Sequence, residues 1–204
     1  GLYGGSDASD NSGSVQYLSI RHGGAEIGEG NEINGLTLGG VGSGTKINHV
    51  EVVANVDDGI EFFGGTVNAT NLLVWGQGDD AIDIDQAYAG TIDGAMVILT
   101  DASDHAFEVD GPEGSAAGSF TLKNATVLGA TKACSALGVN GEMADFRKAA
   151  TGNLSNILFK DFSGGKDVEL DASADAASYT AGTLTFDNID IMHPVSDGAV
   201  CSNV

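Results

Sequence analysis

The sequence predicts an all-β chain wound as a single-stranded right-handed parallel β-helix, a solenoid of about six to seven coils. Three observations predict it. A short triplet with apolar flanks recurs every two to three dozen residues, a second apolar run lies between successive triplets, and 31 glycines against 2 prolines punctuate both. Glycine at about twice its ordinary share favours tight turns and weakens long helices.

The triplets are Leu36-Thr37-Leu38, Ile60-Glu61-Phe62, Ile82-Asp83-Ile84, Phe107-Glu108-Val109, Leu137-Gly138-Val139 and Val168-Glu169-Leu170. Their first members are 24, 22, 25, 30 and 31 residues apart, so the coils beyond residue 112 or so must carry longer loops. The second runs include Val50-Glu51-Val52-Val53, Leu72-Leu73-Val74-Trp75, Met96-Val97-Ile98-Leu99 and Ala125-Thr126-Val127-Leu128, and continue through Ile157 and Ile189. Both series alternate every two residues and are too short for paired helices. The Asn-Gly hairpin signal of a sandwich is almost absent, and Asn34-Gly35 sits at the entrance to a triplet. Stacking equivalent residues at ~4.8 Å per coil accounts for the pattern. Alternation then sends Ile60 and Phe62 inward, and Glu61, Asp83, Glu108 and Glu169 outward. Asn48, Asn71, Asn124, Asn156 and Asn188 recur near the start of the second strand, where Asn tolerates a left-handed turn and can bond to the Asn one coil away.

The chain reads as one domain, residues 1–204, with 42% apolar residues and a formal net charge of -21 from 29 acidic and 8 basic side chains. That balance excludes a nucleic-acid partner, which needs a basic surface, and disfavours an anionic membrane. It favours cations. No run approaches the ~20 apolar residues of a membrane span. The opening Gly-Leu-Tyr-Gly-Gly has no leader character, so the chain is expected to be a mature domain or fragment of a larger secreted protein. Cys134 and Cys201 are either one disulfide or two buried thiols. They lie about two coils apart, ~9.6 Å, so a bond requires the C-terminal segment to fold back as a cap.

Two stretches are more specific than the repeat: the segment from Asn31-Glu32-Ile33-Asn34-Gly35 through Gly42-Ser43-Gly44-Thr45, and the segment Asp57-Asp58-Gly59-Ile60-Glu61-Phe62-Phe63-Gly64-Gly65. With the opening residues and Asp79-Asp80, they resemble a group of secreted or lipoprotein-type bacterial surface proteins, similar in architecture to the pectin-lyase-like β-helix superfamily. The resemblance covers roughly residues 1–112. It implies an extracellular or outer-surface bacterial location and assigns no activity.

Acidic residues concentrate on three successive coils. Aligning the triplets places Asp57, Asp79 and Asp104 in one column, Glu61, Asp83 and Glu108 in another, and His105 level with Asp58 and Asp80. Carboxylates stacked this closely repel one another unless a cation intervenes, and Ca²⁺ takes six to eight oxygens. The expected Ca²⁺ ligands are Asp57, Asp58, Asp79, Asp80, Asp83 and Asp104; a solvated acidic face is the alternative. The expected catalytic residues, if there are any, are Glu61, Asp83 and Glu108, since glycoside hydrolysis needs paired carboxylates. Pectin-degrading hydrolases of the fold that the resemblance implies carry Gly-His-Gly and Arg-x-Lys segments, which Arg21-His22-Gly23-Gly24 and Ser103-Asp104-His105-Ala106 do not match. No basic residue is expected inside the acidic cluster. Trp75, Tyr88 and Phe63 are read as core or edge packing before sugar platforms.

The leading expectation is a non-catalytic extracellular module, a stalk, adhesin or glycan-binding segment stiffened by Ca²⁺. Its expected partners are a polysaccharide or cell-surface glycan and neighbouring domains of the same chain, with no nucleic acid and no membrane insertion. A polysaccharide hydrolase or lyase on the acidic face is the rival.

Overall fold

A computed structural model describes residues 4–28, 33–113, 116–129, 142–162 and 168–192. Seven long strands stack in chain order into one parallel sheet: β1 (Ser14–Arg21), β3 (Lys46–Val53), β5 (Asn68–Trp75), β7 (Thr91–Ile98), β9 (Phe120–Leu128), β11 (Gly152–Lys160) and β13 (Leu184–Met192). Six shorter strands stack into a second: β2 (Leu36–Gly39), β4 (Ile60–Phe63), β6 (Ile82–Asp85), β8 (His105–Asp110), β10 (Glu142–Arg147) and β12 (Val168–Leu170). The chain visits the sheets alternately, so each circuit adds one strand to each. That is a parallel β-helix, as the triplets predict.

The register is the expected one. Ile60 pairs with Leu36 and Ile82, and Glu61 with Thr37 and Asp83. Ile60, Phe62, Ile82, Ile84, Phe107 and Val109 are at most 1% exposed and face Val52, Val74 and Val97 of the long strands across one continuous core. Each such side chain contributes roughly 1.5–3 kcal/mol by leaving water. Tyr88 also lies in this core, its ring 4.8 Å from that of Phe62 and its hydroxyl donating to the Val67 carbonyl at 2.6 Å.

Each long strand bends at one residue with left-handed backbone. The column runs Tyr17, His49, Asn71, Gly94, Asn124, Asn156 and Asn188, all at φ between 52 and 86. Asn188 donates its amide to Asn156 (2.9 Å) and Asn156 to Asn124 (3.1 Å). One expected member is displaced. His49 holds the bend of β3, and Asn48, one residue earlier, accepts the Asn71 amide at 3.0 Å.

Two other expectations are corrected. The fifth triplet was expected at Leu137-Gly138-Val139, which lies outside the described residues. The strand that fills its place is β10, where Ala144-Asp145-Phe146 pairs with Phe107-Glu108-Val109 on one side and Val168-Glu169-Leu170 on the other. The long insertion therefore falls wholly between β8 and β10. The two-residue alternation also did not anticipate a helix, α1 (Ser173–Ala181). Its alanine-rich sequence favours helix, and Gly182 at φ 72 ends it. Buried Asp175 accepts the Ala172 N–H at its start and the Ala150 N–H of the preceding coil, both at 3.2 Å, which pins the helix to the solenoid.

Candidate functional site

The turns that lead from the long strands into the short ones carry Asp57 and Asp58, Asp79 and Asp80, and Asp104. Their backbone is held coil to coil, with the Asp104 N–H on the Asp79 carbonyl at 2.9 Å and the Gly59 N–H on the Asp80 carbonyl at 2.8 Å. Gly59 lets the chain tuck in at this point, because a Cβ there would stand 2.4 Å from the Val74 side chain and 2.6 Å from the Ala81 carbonyl. Two carboxylates are wired into the same ladder. Asp58 accepts the Asp80 N–H at 3.1 Å, and Asp80 accepts the His105 N–H at 2.8 Å.

Immediately beyond, the middle residues of the short strands form the second column, with Glu61 against Asp83 and Asp83 against Glu108. They face away from the core as alternation requires. They are not simply solvated, however: Glu61 is buried with 6% exposure, Asp83 is half-buried, and the Asn34 amide donates to Glu61. Oδ1 of Asp83 is shielded from solvent and has no hydrogen-bond partner.

The columns converge into three groups, each offering one ligand atom per residue within 4.8 Å of the others: Asp57, Asp58 and Asp79; Asp58, Glu61 and Asp83; and Asp80, Asp104 and His105. All six expected metal ligands fall in these groups. Glu61, expected only as a catalytic carboxylate, joins them, while Glu108 lies against Arg147. Asp58 belongs to two groups.

Electrostatics follow from the crowding. Burial first, then the charges of Asp80, Asp57 and Glu61, push Asp58 up to about 9. Burial and the surrounding carboxylates drive Asp83 far above the ordinary carboxylate range, and burial raises Glu61 and Glu108 as well. Asp79 at the rim rises to about 6, by desolvation and by Asp80 and Asp104. At neutral pH the cation-free face must therefore retain protons. Its chemistry is that of a dense, partly dehydrated oxygen cluster that could hold a hard cation in place of those protons, and the unpartnered Asp83 oxygen is of the type that Ca²⁺ takes as a ligand.

The expectation that no basic residue enters the cluster is overturned. Arg147, at the end of β10, pairs with Glu108 and places its Nε 2.7 Å from Asp110 Oδ1; Lys148 pairs with Asp110 and lies 3.3 Å from Glu113. His105 was expected level with Asp58 and Asp80 and is there, with Nδ1 2.8 Å from Asp80 Oδ1 and 3.8 Å from Glu108 and with Nε2 3.9 Å from Glu142. Burial alone would lower its pKa, but the Asp80 hydrogen bond and the charges of Asp80, Asp104 and Glu108 push it to about 9. The signal for Arg147 was present in the sequence: Ala144-Asp145-Phe146 is itself an apolar–acid–apolar triplet. Of the aromatics, Tyr88 is core, Phe63 is half-buried, and Trp75 stands 48% exposed on the outer sheet face. A groove of about 700 Å³ at the other end of the short strands, touched by Gly40, Phe63, Gly65 and Gln86, includes none of the three groups. Cys134 and Cys201 lie outside the described residues.

No curated protein and no solved structure gives a significant match to the chain. Residues 1–200 match the family model described as a pectate-lyase like beta helix domain, well past the residue 112 to which the resemblance in the sequence extended. With its alternating parallel sheets and their continuous register, the chain belongs to the pectate-lyase-like β-helix domain family.

Proposed function

We propose that this chain is a non-catalytic extracellular module of a bacterial surface protein that binds Ca²⁺ on its acidic face and engages a glycan there. The observation that carries the reading is the Asp58–Glu61–Asp83 group: three carboxylates within 4.8 Å, with a shielded Asp83 oxygen left unpartnered. Asp57 and Asp79 extend the oxygen set at the rim. Asp57, Asp58, Glu61, Asp79 and Asp83 would hold Ca²⁺, which would supply positive charge that neutralises the columns and attracts sugar hydroxyls or carboxylates. Asn34 and the backbone N–H groups on Asp58 and Asp80 orient the carboxylates. The cations nearest the cluster are committed, Arg147 to Glu108 and Asp110 and His105 to Asp80, and against the opposing effect of burial the neighbouring carboxylates keep both protonated. Neither is placed to act as a neutral base, which favours binding over catalysis.

A hydrolase or lyase is the second reading, favoured by the approach of Arg147 and His105 to Glu108. Incubation with neutral and acidic polysaccharides, with and without Ca²⁺, separates the two. The binding reading expects Ca²⁺-dependent retention of a polysaccharide without new reducing ends or unsaturated sugars. Turnover abolished by Asp83→Ala would replace it with the catalytic one.

A further inference from the structure

The long strands carry two outward rows after their left-handed bend, and the rows differ in character from the rest of the surface. One row runs Ser19, Glu51, Leu73, Met96, Thr126, Leu158 and Asp190; the other runs Arg21, Val53, Trp75, Ile98, Leu128, Lys160 and Met192. Across β5, β7 and β9 these positions are Leu73, Trp75, Met96, Ile98, Thr126 and Leu128, without a charge among them. Trp75 is 48% and Met96 42% exposed. The corresponding outward positions before the bend are polar: Thr70, Asp93 and Lys123. The inward residues of the same strands, such as Val74 and Val97, are already fully buried, so these side chains are surplus to the core. In a chain of net charge -21, a flat apolar face of this kind marks an interaction surface.

We propose that the face associates with a second copy of itself, forming an isologous dimer by sheet-on-sheet packing. The argument for this occupant is the placement of charge. The rows end in Arg21 and Glu51 on β1 and β3, and in Lys160 and Asp190 on β11 and β13. β7 is the middle strand of the seven. A two-fold axis in the interface and parallel to β7 lays β1 over β13 of the other copy and β3 over β11. Arg21 then meets the end that bears Asp190, and Glu51 meets the strand that bears Lys160. Within one chain Arg21 already pairs with Glu51, and Lys160 lies 3.5 Å from Asp161, so the dimer would join these exposed pairs into networks. The apolar rows meet at the centre, Trp75 over the β9 strand of its mate. The remaining negative charge lies on other faces, where screening beyond ~8 Å at physiological salt limits repulsion. Two rows over seven strands cover about 30 Å by 10 Å, which supports a weak, concentration-dependent dimer and not an obligate one.

Sedimentation equilibrium of the full chain from about 10 μM to about 1 mM at ~0.15 M salt tests the proposal. The apparent mass is expected to climb toward twice that of the chain. Met96→Glu and, separately, Trp75→Glu should each weaken association by about tenfold or more, with Met96→Glu decisive if Trp75→Glu perturbs the fold. Lys160→Glu should weaken it, and Glu51→Lys combined with Lys160→Glu should recover it. A monomer throughout the range, leaving the face to a different partner, would overturn the proposal; so would association indifferent to Met96→Glu.

Discussion

Asn156 shows how much one side chain contributes to this solenoid. It holds a left-handed bend at φ 55, donates to Asn124 and accepts from Asn188. Asn156→Ala removes two amide hydrogen bonds, at about 1 kcal/mol each, and forces alanine into a conformation costing roughly 1–2 kcal/mol. Urea unfolding is expected to show a loss of about 3–4 kcal/mol, of which Asn156→Gly recovers the conformational part, as Gly94 does naturally two column members away. Asp83→Asn is the opposite kind of change. It removes the cost of protonating a carboxyl that burial and four neighbouring acids keep from ionising, so the cation-free protein should melt higher at pH 8 while losing its response to Ca²⁺. The ladder was legible in the sequence because Asn is one of the few residues that tolerate left-handed backbone. His49 and Tyr17 were not legible, since nothing in their chemistry announces a bend; their stacked rings, 4.7 Å apart, substitute for the amide ladder at that end.

At the scale of elements, the close approach of turn and strand is the exacting feature. Gly59→Ala would drive a methyl group into Val74 and the Ala81 carbonyl, and is expected to cost on the order of 1–3 kcal/mol in a denaturant titration. A change of midpoint of that size with an unchanged slope is the signature to look for. Triplets made the short strands readable wherever an acid stands between two apolar residues in a coil of 22 to 25 residues. At β10 the insertion after β8 breaks the spacing, and Leu137-Gly138-Val139 matches the triplet pattern while Ala144-Asp145-Phe146 takes its place in the sheet. The broken spacing also conceals the site's cations, because Arg147 and Lys148 reach Glu108 and Asp110 only once Asp145 is placed beside Glu108. The helix α1 escaped because its fixing contact, Asp175 to the Ala150 N–H, joins residues 25 apart.

Over the whole molecule, the acidic face couples stability to protons and, on the proposed function, to Ca²⁺ as well. The folded state raises Asp58 from 3.8 to about 9 and Asp79 from 3.8 to about 6. Groups raised on folding add stability that is complete below their unfolded pKa and is lost as pH rises through the folded value. His105, raised from 6.5 to about 9, acts in the same sense over a higher window. Without a cation the melting midpoint should therefore fall steadily from about pH 4 to pH 9. Ca²⁺ that displaces these protons should bind more tightly at pH 8 than at pH 6, and calorimetry in buffers of different ionisation enthalpy should detect proton release. The most direct measurement is the melting midpoint at pH 7.5 in EDTA and in Ca²⁺. At about 100 times the dissociation constant, binding to the folded state adds about 2.7 kcal/mol, a rise of roughly 5–10 °C for a chain of this size, and Asp83→Asn should abolish it. An identical midpoint in EDTA and in Ca²⁺ would contradict the account.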